Sequence, residues 1–131
     1  MNDHPVFGAF AKAHKEFFQA LGPDGWQDLA GYEGVREKIL SGAFDHSGQT
    51  GAVTRLSRWE AGAVVDQALS HAWCEEVFLI SGSLSIGTPD QEREVLTEGN
   101  YAVRPAHVPH GPFFSKDGCL MIEFSYYPPK V

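Results

Sequence analysis

The strongest constraint in this sequence is a succession of short apolar runs, which begins after Tyr32 and continues almost to the C-terminus. The runs are rich in Val, Ile, Leu and Phe, and clusters of Gly, Pro, Asp and Asn separate them. This spacing is typical of an all-β sandwich or barrel, and the mouth of a small barrel can hold a ligand. The predicted strands are Val35–Leu40, Ala52–Trp59, Val64–His71, Glu75–Ile80, Leu84–Ile86, Arg93–Leu96, Tyr101–Arg104 and Cys119–Tyr127.

The N-terminal segment follows a different pattern, which predicts a helix over Pro5–Leu21. Apolar and aromatic residues recur there at spacings of three and four until Gly22-Pro23 ends the pattern. We expect this stripe to pack on the barrel, with a dimer contact as the alternative. The predicted division is therefore an N-terminal helix and cover segment over residues 1–33 and a barrel over residues 34–131.

Composition limits the class of partner. A chain of 131 residues with 43% hydrophobic content builds one core. Ten basic against seventeen acidic residues, with no basic run, argue against nucleic acid or an anionic membrane as the partner. No apolar stretch reaches the length of a membrane span. Cys74 and Cys119 are too few for a disulfide scaffold, although a single bridge stays open. We expect a soluble, cytoplasmic protein that binds a small molecule or another copy of itself.

Three residues stand out as candidate metal ligands. His71 ends one predicted strand and Glu75 begins the next, on the same side of the pleat by parity. His110 follows a turn stiffened by Pro105 and Pro109, which presents its imidazole in a fixed direction. Two imidazoles and one carboxylate are the ligand set of a facial-triad iron site, and they also suit zinc or manganese.

The surroundings of these residues resemble the two sequence motifs of the cupin superfamily (RmlC-like proteins). For the first motif, His71 stands at the second His position, Glu75 follows after three spacers, and Gly82 follows after six more residues. For the second motif, Gly99, Pro105 and His110 match, and His107 stands where a glycine is usual. The resemblance covers about residues 34–127 and implies an all-β jelly-roll barrel, a double-stranded β-helix, that commonly pairs as a homodimer. The stretch from Tyr101 to Leu120 is especially similar to ChrR-like cupins, a branch that includes acetylacetone-cleaving dioxygenases.

One position departs from the cupin pattern. The usual first His of motif one is Leu69 here, so the resemblance implies a metal site reduced to His71, Glu75 and His110. In an alternative register, His71 takes the first His position of the motif and Trp73 takes the second. This register puts Val77 or Phe78 at the Glu position, and we therefore reject it. Glu76 is disfavoured against Glu75 because it points to the opposite face. Gln67 shares the parity of Leu69 and is an alternative extra donor. Fe(II) is the favoured metal, with zinc or manganese as alternatives, and an empty or vestigial pocket stays open.

Three further residues are candidates for a catalytic role, each with an alternative. His107 is a candidate acid or base or second-sphere donor, and it is equally compatible with a solvent-facing turn. Arg104 can bind a carboxylate or enolate, although a surface salt bridge is the simpler prediction. Glu123 is a charged residue in an apolar strand, and it acts either as a pocket base or faces solvent. Trp73 and Phe113 either wall an apolar cavity or belong to the core.

The leading functional hypothesis is a metal-dependent enzyme that acts on a small oxygen-containing molecule. The resemblance implies a dioxygenase that cleaves a diketone or hydroxyketone bound through two oxygens. One alternative is a non-catalytic binding or sensor cupin. Another is metal-independent lyase, isomerase or cyclase chemistry in the same pocket, which would use His107, His110 or Glu123.

Overall fold

The computed structural model describes residues 12–129, and this part of the chain forms an antiparallel all-β fold. The sheet order is β1-β2-β3-β9-β5-β8-β4, and both β6 and β7 also pair with β5. The curled sheet confirms the predicted all-β class. The strands are β1 (Gln27–Asp28), β2 (Val35–Asp45), β3 (Thr50–Trp59), β4 (Val64–Val65), β5 (Cys74–Thr88), β6 (Gln91–Thr97), β7 (Tyr101–Arg104), β8 (Phe113–Phe114) and β9 (Cys119–Tyr126).

Strand β5 joins the two halves of the barrel. Its first half pairs with β9 and β7, its second half pairs with β6 and β8, and its register to β9 shifts between Leu79 and Ser81. The predicted turn at residues 81–83 is therefore wrong, because a bulge bends one continuous strand there. Gly82 has a φ of 81°, and a Cβ at this position would collide with the carbonyl oxygen of Gly118. Only glycine fits this bend without displacement.

The core lies between the inner faces of the two halves. Strand β9 shows the predicted alternation, since Cys119 and Met121 belong to the buried cluster and Phe124 on the opposite face is 40% exposed. The side chains of Leu69, Val77 and Phe113 pack partly buried against this cluster. The buried members are Val35, Trp59, Ala63, Val65, Leu79, Leu84, Cys119 and Met121.

The predicted N-terminal helix is wrong over the part that the structure describes. Residues 5–11 lie outside the described range, and residues 12–21 are not helical. Phe17 is 98% exposed and Leu21 is 54% exposed, so these two residues of the stripe have no apolar face to pack against. The ammonium of the buried Lys38 instead contacts the carbonyl oxygens of Gln19 and Gly22 at 3.4 and 3.3 Å. Across residues 12–129 no helix is long and apolar enough to span a membrane.

The predicted strand Val64–His71 is also shorter than expected. Only Val64–Val65 forms β4, and residues 66–73 form a loop. The apolar run is too short to continue the strand, since Asp66 and Gln67 are exposed. His71 consequently lies in a loop rather than at a strand end.

Candidate metal centre

Two facing loops carry the histidines of the site, and backbone hydrogen bonds hold these loops together. The N–H of Leu69 donates to the carbonyl of His110 at 2.8 Å, and the N–H of His110 donates back at 2.8 Å. The N–H of His107 donates to the carbonyl of His71 at 2.6 Å. These bonds fix the two segments in register, so the imidazoles of His71 and His110 lie side by side with ring centroids 4.9 Å apart.

Glu75, the second residue of β5, completes the cluster. Its side chain points into the barrel and the residue is only 4% exposed, with Oε2 3.8 Å from Nε2 of His110. One donor atom from each of His71, Glu75 and His110 lies within 4.8 Å of the others. Glu76 points the other way, where it accepts a hydrogen bond from the hydroxyl of Tyr101 at 2.6 Å. The three predicted ligands therefore converge, and Glu76 is outside the cluster.

Protonation of the cluster suits a metal ion. Burial, followed by repulsion from His110, lowers the pKa of His71 to about 4. Burial, followed by repulsion from Arg104, also lowers the pKa of His110. Burial and the neighbouring Glu123 raise the pKa of Glu75 to about 7. Near neutral pH both imidazoles are neutral and offer a ring-nitrogen lone pair, and a carboxylate is accessible at modest cost.

The donor set fits a divalent transition metal. Two nitrogens and one oxygen are the ligands that Fe(II), zinc and manganese accept in proteins. Donors about 2.1 Å from one ion lie at most about 4.2 Å apart, so small side-chain rotations bring the observed set into contact with it. Leu69 packs against the core and the side chain of Gln67 is exposed. Neither residue adds a fourth donor.

A network of largely buried ion pairs, centred on Arg55, includes the carboxylate of Glu75. Arg55 of β3 lies 3.0 Å from Oε2 of Glu37, 2.6 Å from Oε1 of Glu123 and 3.7 Å from Oε1 of Glu75. Burial opposes the charge on this guanidinium, but attraction to Glu123 and Glu37 outweighs that cost and raises the pKa of Arg55. The side chain of Glu123 is thus largely buried, at 12% exposed, and paired with Arg55, so it does not face solvent. Sequence reasoning missed Arg55 and Glu37, although a charge within the apolar strand Ala52–Trp59 was a usable signal.

An aromatic wall fixes the orientation of His71. The ring of Trp73 stacks on its imidazole with centroids 4.4 Å apart and an interplanar angle of 2°. Phe44, His46 and Tyr127 contact Trp73 at centroid distances of 5.1, 5.3 and 5.8 Å. Trp73 therefore braces a candidate ligand, which goes beyond the cavity wall or core role that its sequence position indicated.

Two adjoining cavities open onto the cluster. An inner cavity of about 100 Å³ is lined by His71, Glu75, Arg55 and Glu123, and an outer cavity of about 490 Å³ leads away from it. Their shared walls include Arg104, His110 and Phe113. A small molecule in the outer cavity would therefore contact the imidazole of His110 directly.

Of the other two sequence candidates, Arg104 lies inside the barrel and His107 is exposed. Arg104 lies on the inner face opposite Glu75, with Nη1 3.5 Å from Oε2 of that carboxylate, and is not at the surface. His107 has a positive φ of 71°, as its glycine-like position in the motif requires, and its side chain is exposed. It reaches the site through its backbone N–H, and its side chain lines neither of the two cavities.

A curled antiparallel barrel with two histidines and a glutamate converging inside it defines a cupin. More particularly, residues 15–126 match the family model described as the ChrR cupin-like domain, so the chain belongs to that family. The match agrees with the motifs around His71 and His110. A comparison with curated proteins finds no significant match.

Several solved structures share the fold. Acetylacetone dioxygenase from Acinetobacter johnsonii is 16% identical, with 88% of this chain and 76% of that chain covered and a TM-score of 0.64. The polyketide cyclase RemF from Streptomyces resistomycificus is 19% identical, with 88% and 83% covered and a TM-score of 0.63. The anti-sigma factor ChrR from Rhodobacter sphaeroides, in complex with SigE, is 20% identical, with 76% and 47% covered and a TM-score of 0.55. These likenesses establish the fold.

Proposed function

We propose that this protein is a metal-dependent cupin enzyme that acts on a small oxygen-containing organic molecule. One observation carries the proposal: His71, Glu75 and His110 bring three metal-type donor atoms within 4.8 Å of one another beside a cavity. These residues would hold the ion, with Fe(II) favoured because two histidines and one carboxylate are its ligand set in non-haem oxygenases. When bound, the metal would supply Lewis acidity and access to dioxygen chemistry.

The chain's own residues would prepare the substrate. Arg104 would bind a negatively charged oxygen of the substrate, since its guanidinium lies on the shared wall of the two cavities. Glu123 would accept a proton from a carbon acid, such as a β-diketone or hydroxyketone, at a carboxylate that Arg55 holds in place. The apolar walls of the outer cavity would exclude water from the reacting centre.

The test is turnover with and without metal. Protein reconstituted with Fe(II) under argon is mixed with air-saturated buffer and a panel of β-diketones and hydroxyketones, and oxygen consumption and products are followed. We expect oxygen-dependent cleavage that disappears after chelation and in the Glu75→Gln and Glu123→Gln variants. His107→Asn tests the remaining sequence candidate, and unchanged turnover would remove His107 from the catalytic set.

Two other functions are distinguished by the same assay. Likeness of fold to a polyketide cyclase supports cyclase chemistry in the same pocket. If that chemistry is metal-independent, product formation survives chelation. Membership in the ChrR cupin-like family supports a binding or sensor module, which predicts saturable ligand stabilisation without product. A cytoplasmic homodimer, with a cover segment over residues 1–33 and a barrel over residues 34–131, remains part of the proposal.

A further inference from the structure

Arg104 is a largely unpaired cation inside the barrel. Its side chain is 18% exposed, Nη1 makes one long contact of 3.5 Å with Glu75, and the guanidinium lies 5.8 Å from the ring centroid of Phe113. Within residues 12–129 this guanidinium makes no other hydrogen bond or ion pair. Arg55, by contrast, contacts three carboxylates. Because a guanidinium has five N–H donors, most of the donors of Arg104 are available to a ligand.

The cavity in front of Arg104 is mostly apolar. Its volume of about 490 Å³ falls in the range of pockets that enclose drug-sized ligands. Two of its polar side chains already have partners, because the hydroxyl of Tyr101 donates to Glu76 and Oδ1 of Asn100 accepts from the N–H of Thr97. The apolar lining consists mainly of Leu79, Leu84, Ile86, Leu96, Phe113 and Met121.

Two side chains of opposite charge, Glu94 and Arg104, line different parts of this cavity. Glu94 is an exposed carboxylate at the lining of the outer cavity, whereas Arg104 lies where the outer and inner cavities meet. The guanidinium of Arg104 attracts an anionic head, and the carboxylate of Glu94 repels that head from its own part of the lining, so the two charges together orient an anionic ligand with its head on Arg104. Burial of the apolar remainder of such a ligand then adds affinity in proportion to its area.

We propose that the outer cavity binds an amphiphilic anion, with a carboxylate or enolate head on Arg104 and an aryl or alkyl body along the apolar lining. This inference rests on the proposed function, because the bound head would lie beside His110. The proposed anion site narrows the substrate class from any small ketone to a ketone with an extended apolar substituent. The cavity is much larger than acetylacetone, so that molecule would leave most of the apolar lining without contact.

The first test uses matched probes on metal-free protein, measured by isothermal titration calorimetry. The probes are 4-phenylbutyrate, its amide 4-phenylbutyramide, and acetate. We expect the phenyl carboxylate to bind at least tenfold tighter than the amide, which lacks the charge, and at least tenfold tighter than acetate, which lacks the body. Equal affinity for the carboxylate and the amide would overturn the assignment of an anion site. Equal affinity for phenylbutyrate and acetate would overturn the role of the apolar cavity.

The second test assigns the anion preference to one residue. Arg104→Met should abolish the preference for carboxylate over amide, and Arg104→Lys should retain part of it. The matched control is Arg93→Met, which changes an exposed arginine of β6 and should leave all affinities unchanged. An undiminished preference in Arg104→Met refutes the inference even if the other results agree.

Metal titration of the same samples separates this inference from the proposed function. Arg104→Met should still bind metal, because Arg104 is not one of the donor residues. If wild-type protein binds no metal but prefers the phenyl carboxylate, the proposed function fails and the anion site stands. If it binds metal but does not distinguish the probes, the anion site fails and the metal centre stands.

Discussion

Removal of the Arg55 charge tests whether the folded protein needs this cation to stabilise the carboxylates inside the barrel. Arg55→Met keeps an unbranched apolar stem but deletes a guanidinium that contacts Glu37, Glu75 and Glu123 at 3.0, 3.7 and 2.6 Å. Three carboxylates would then share the interior, and among the arginines and lysines of residues 12–129 only Arg104 still contacts one of them, Glu75. We therefore expect a large loss of stability in the metal-free protein.

The expected magnitude follows from burial. Breaking a buried ion pair by removing one partner costs about 3–5 kcal/mol. The side chains of Arg55, Glu37 and Glu123 are 21%, 24% and 12% exposed, so solvent screening reduces this cost. We expect a loss of about 2–4 kcal/mol. At about 2.1 cal/mol/K per residue, each kcal/mol lowers the Tm of a chain of this size by about 4 °C, so the expected drop is about 7–15 °C.

The assay is urea and thermal unfolding of chelator-treated protein at pH 8 and low salt. The double variant Arg55→Met/Glu123→Gln should recover part of the loss, because it removes one of the stranded charges. Arg93→Met is the matched surface control and should change stability by less than about 0.5 kcal/mol. A loss below about 1 kcal/mol in Arg55→Met, or a double variant less stable than the single one, would refute the buried network.

Three other outcomes are expected. Trp73→Leu should weaken metal affinity about 10- to 100-fold by releasing the stacked imidazole of His71, and Trp73→Phe should do so less; equal affinities by calorimetry would contradict this. Gly82→Ala should lower the Tm more than Gly62→Ala, because both have positive φ but a Cβ at Gly62 meets nothing within 4 Å. Burial raises the pKa of Cys119 to about 11, so Ellman's reagent at pH 8 should label it only after unfolding; rapid labelling in the native Cys74→Ser variant would contradict the burial.

Local sequence patterns predicted the strands and the candidate ligands, and they failed where distant contacts decide the outcome. Motif spacing selected Glu75 over Glu76, and the structure points Glu75 inward because neighbouring residues of a strand face opposite sides. The pattern Ser81-Gly82-Ser83 looked like a turn, yet pairing with β9 keeps the strand continuous. Apolar spacing around Phe17 predicted a helix, but spacing cannot reveal that no apolar face lies beneath this residue.

In the candidate metal centre, too, features set by neighbouring residues were predictable from the sequence, and contacts between distant residues were not. The proline-framed turn before His110 was visible in the sequence, and backbone pairing of that turn with Leu69 was not. Arg55 meets Glu123 because β3 and β9 pair in register, with Arg55 directly opposite Glu123. Sequence separation hides such a pair, since the two residues are 68 positions apart.

Metal stoichiometry tests most directly whether His71, Glu75 and His110 form a metal centre. Protein purified without added metal is analysed by inductively coupled plasma mass spectrometry and titrated with Fe(II) under argon, alongside His110→Ala and the matched neighbour variant His107→Asn. We expect one transition-metal ion per chain in the wild type and in His107→Asn, and at least a tenfold weaker affinity in His110→Ala. A wild-type protein that neither contains nor binds a transition metal, or a His110→Ala variant with unchanged affinity, would contradict this expectation.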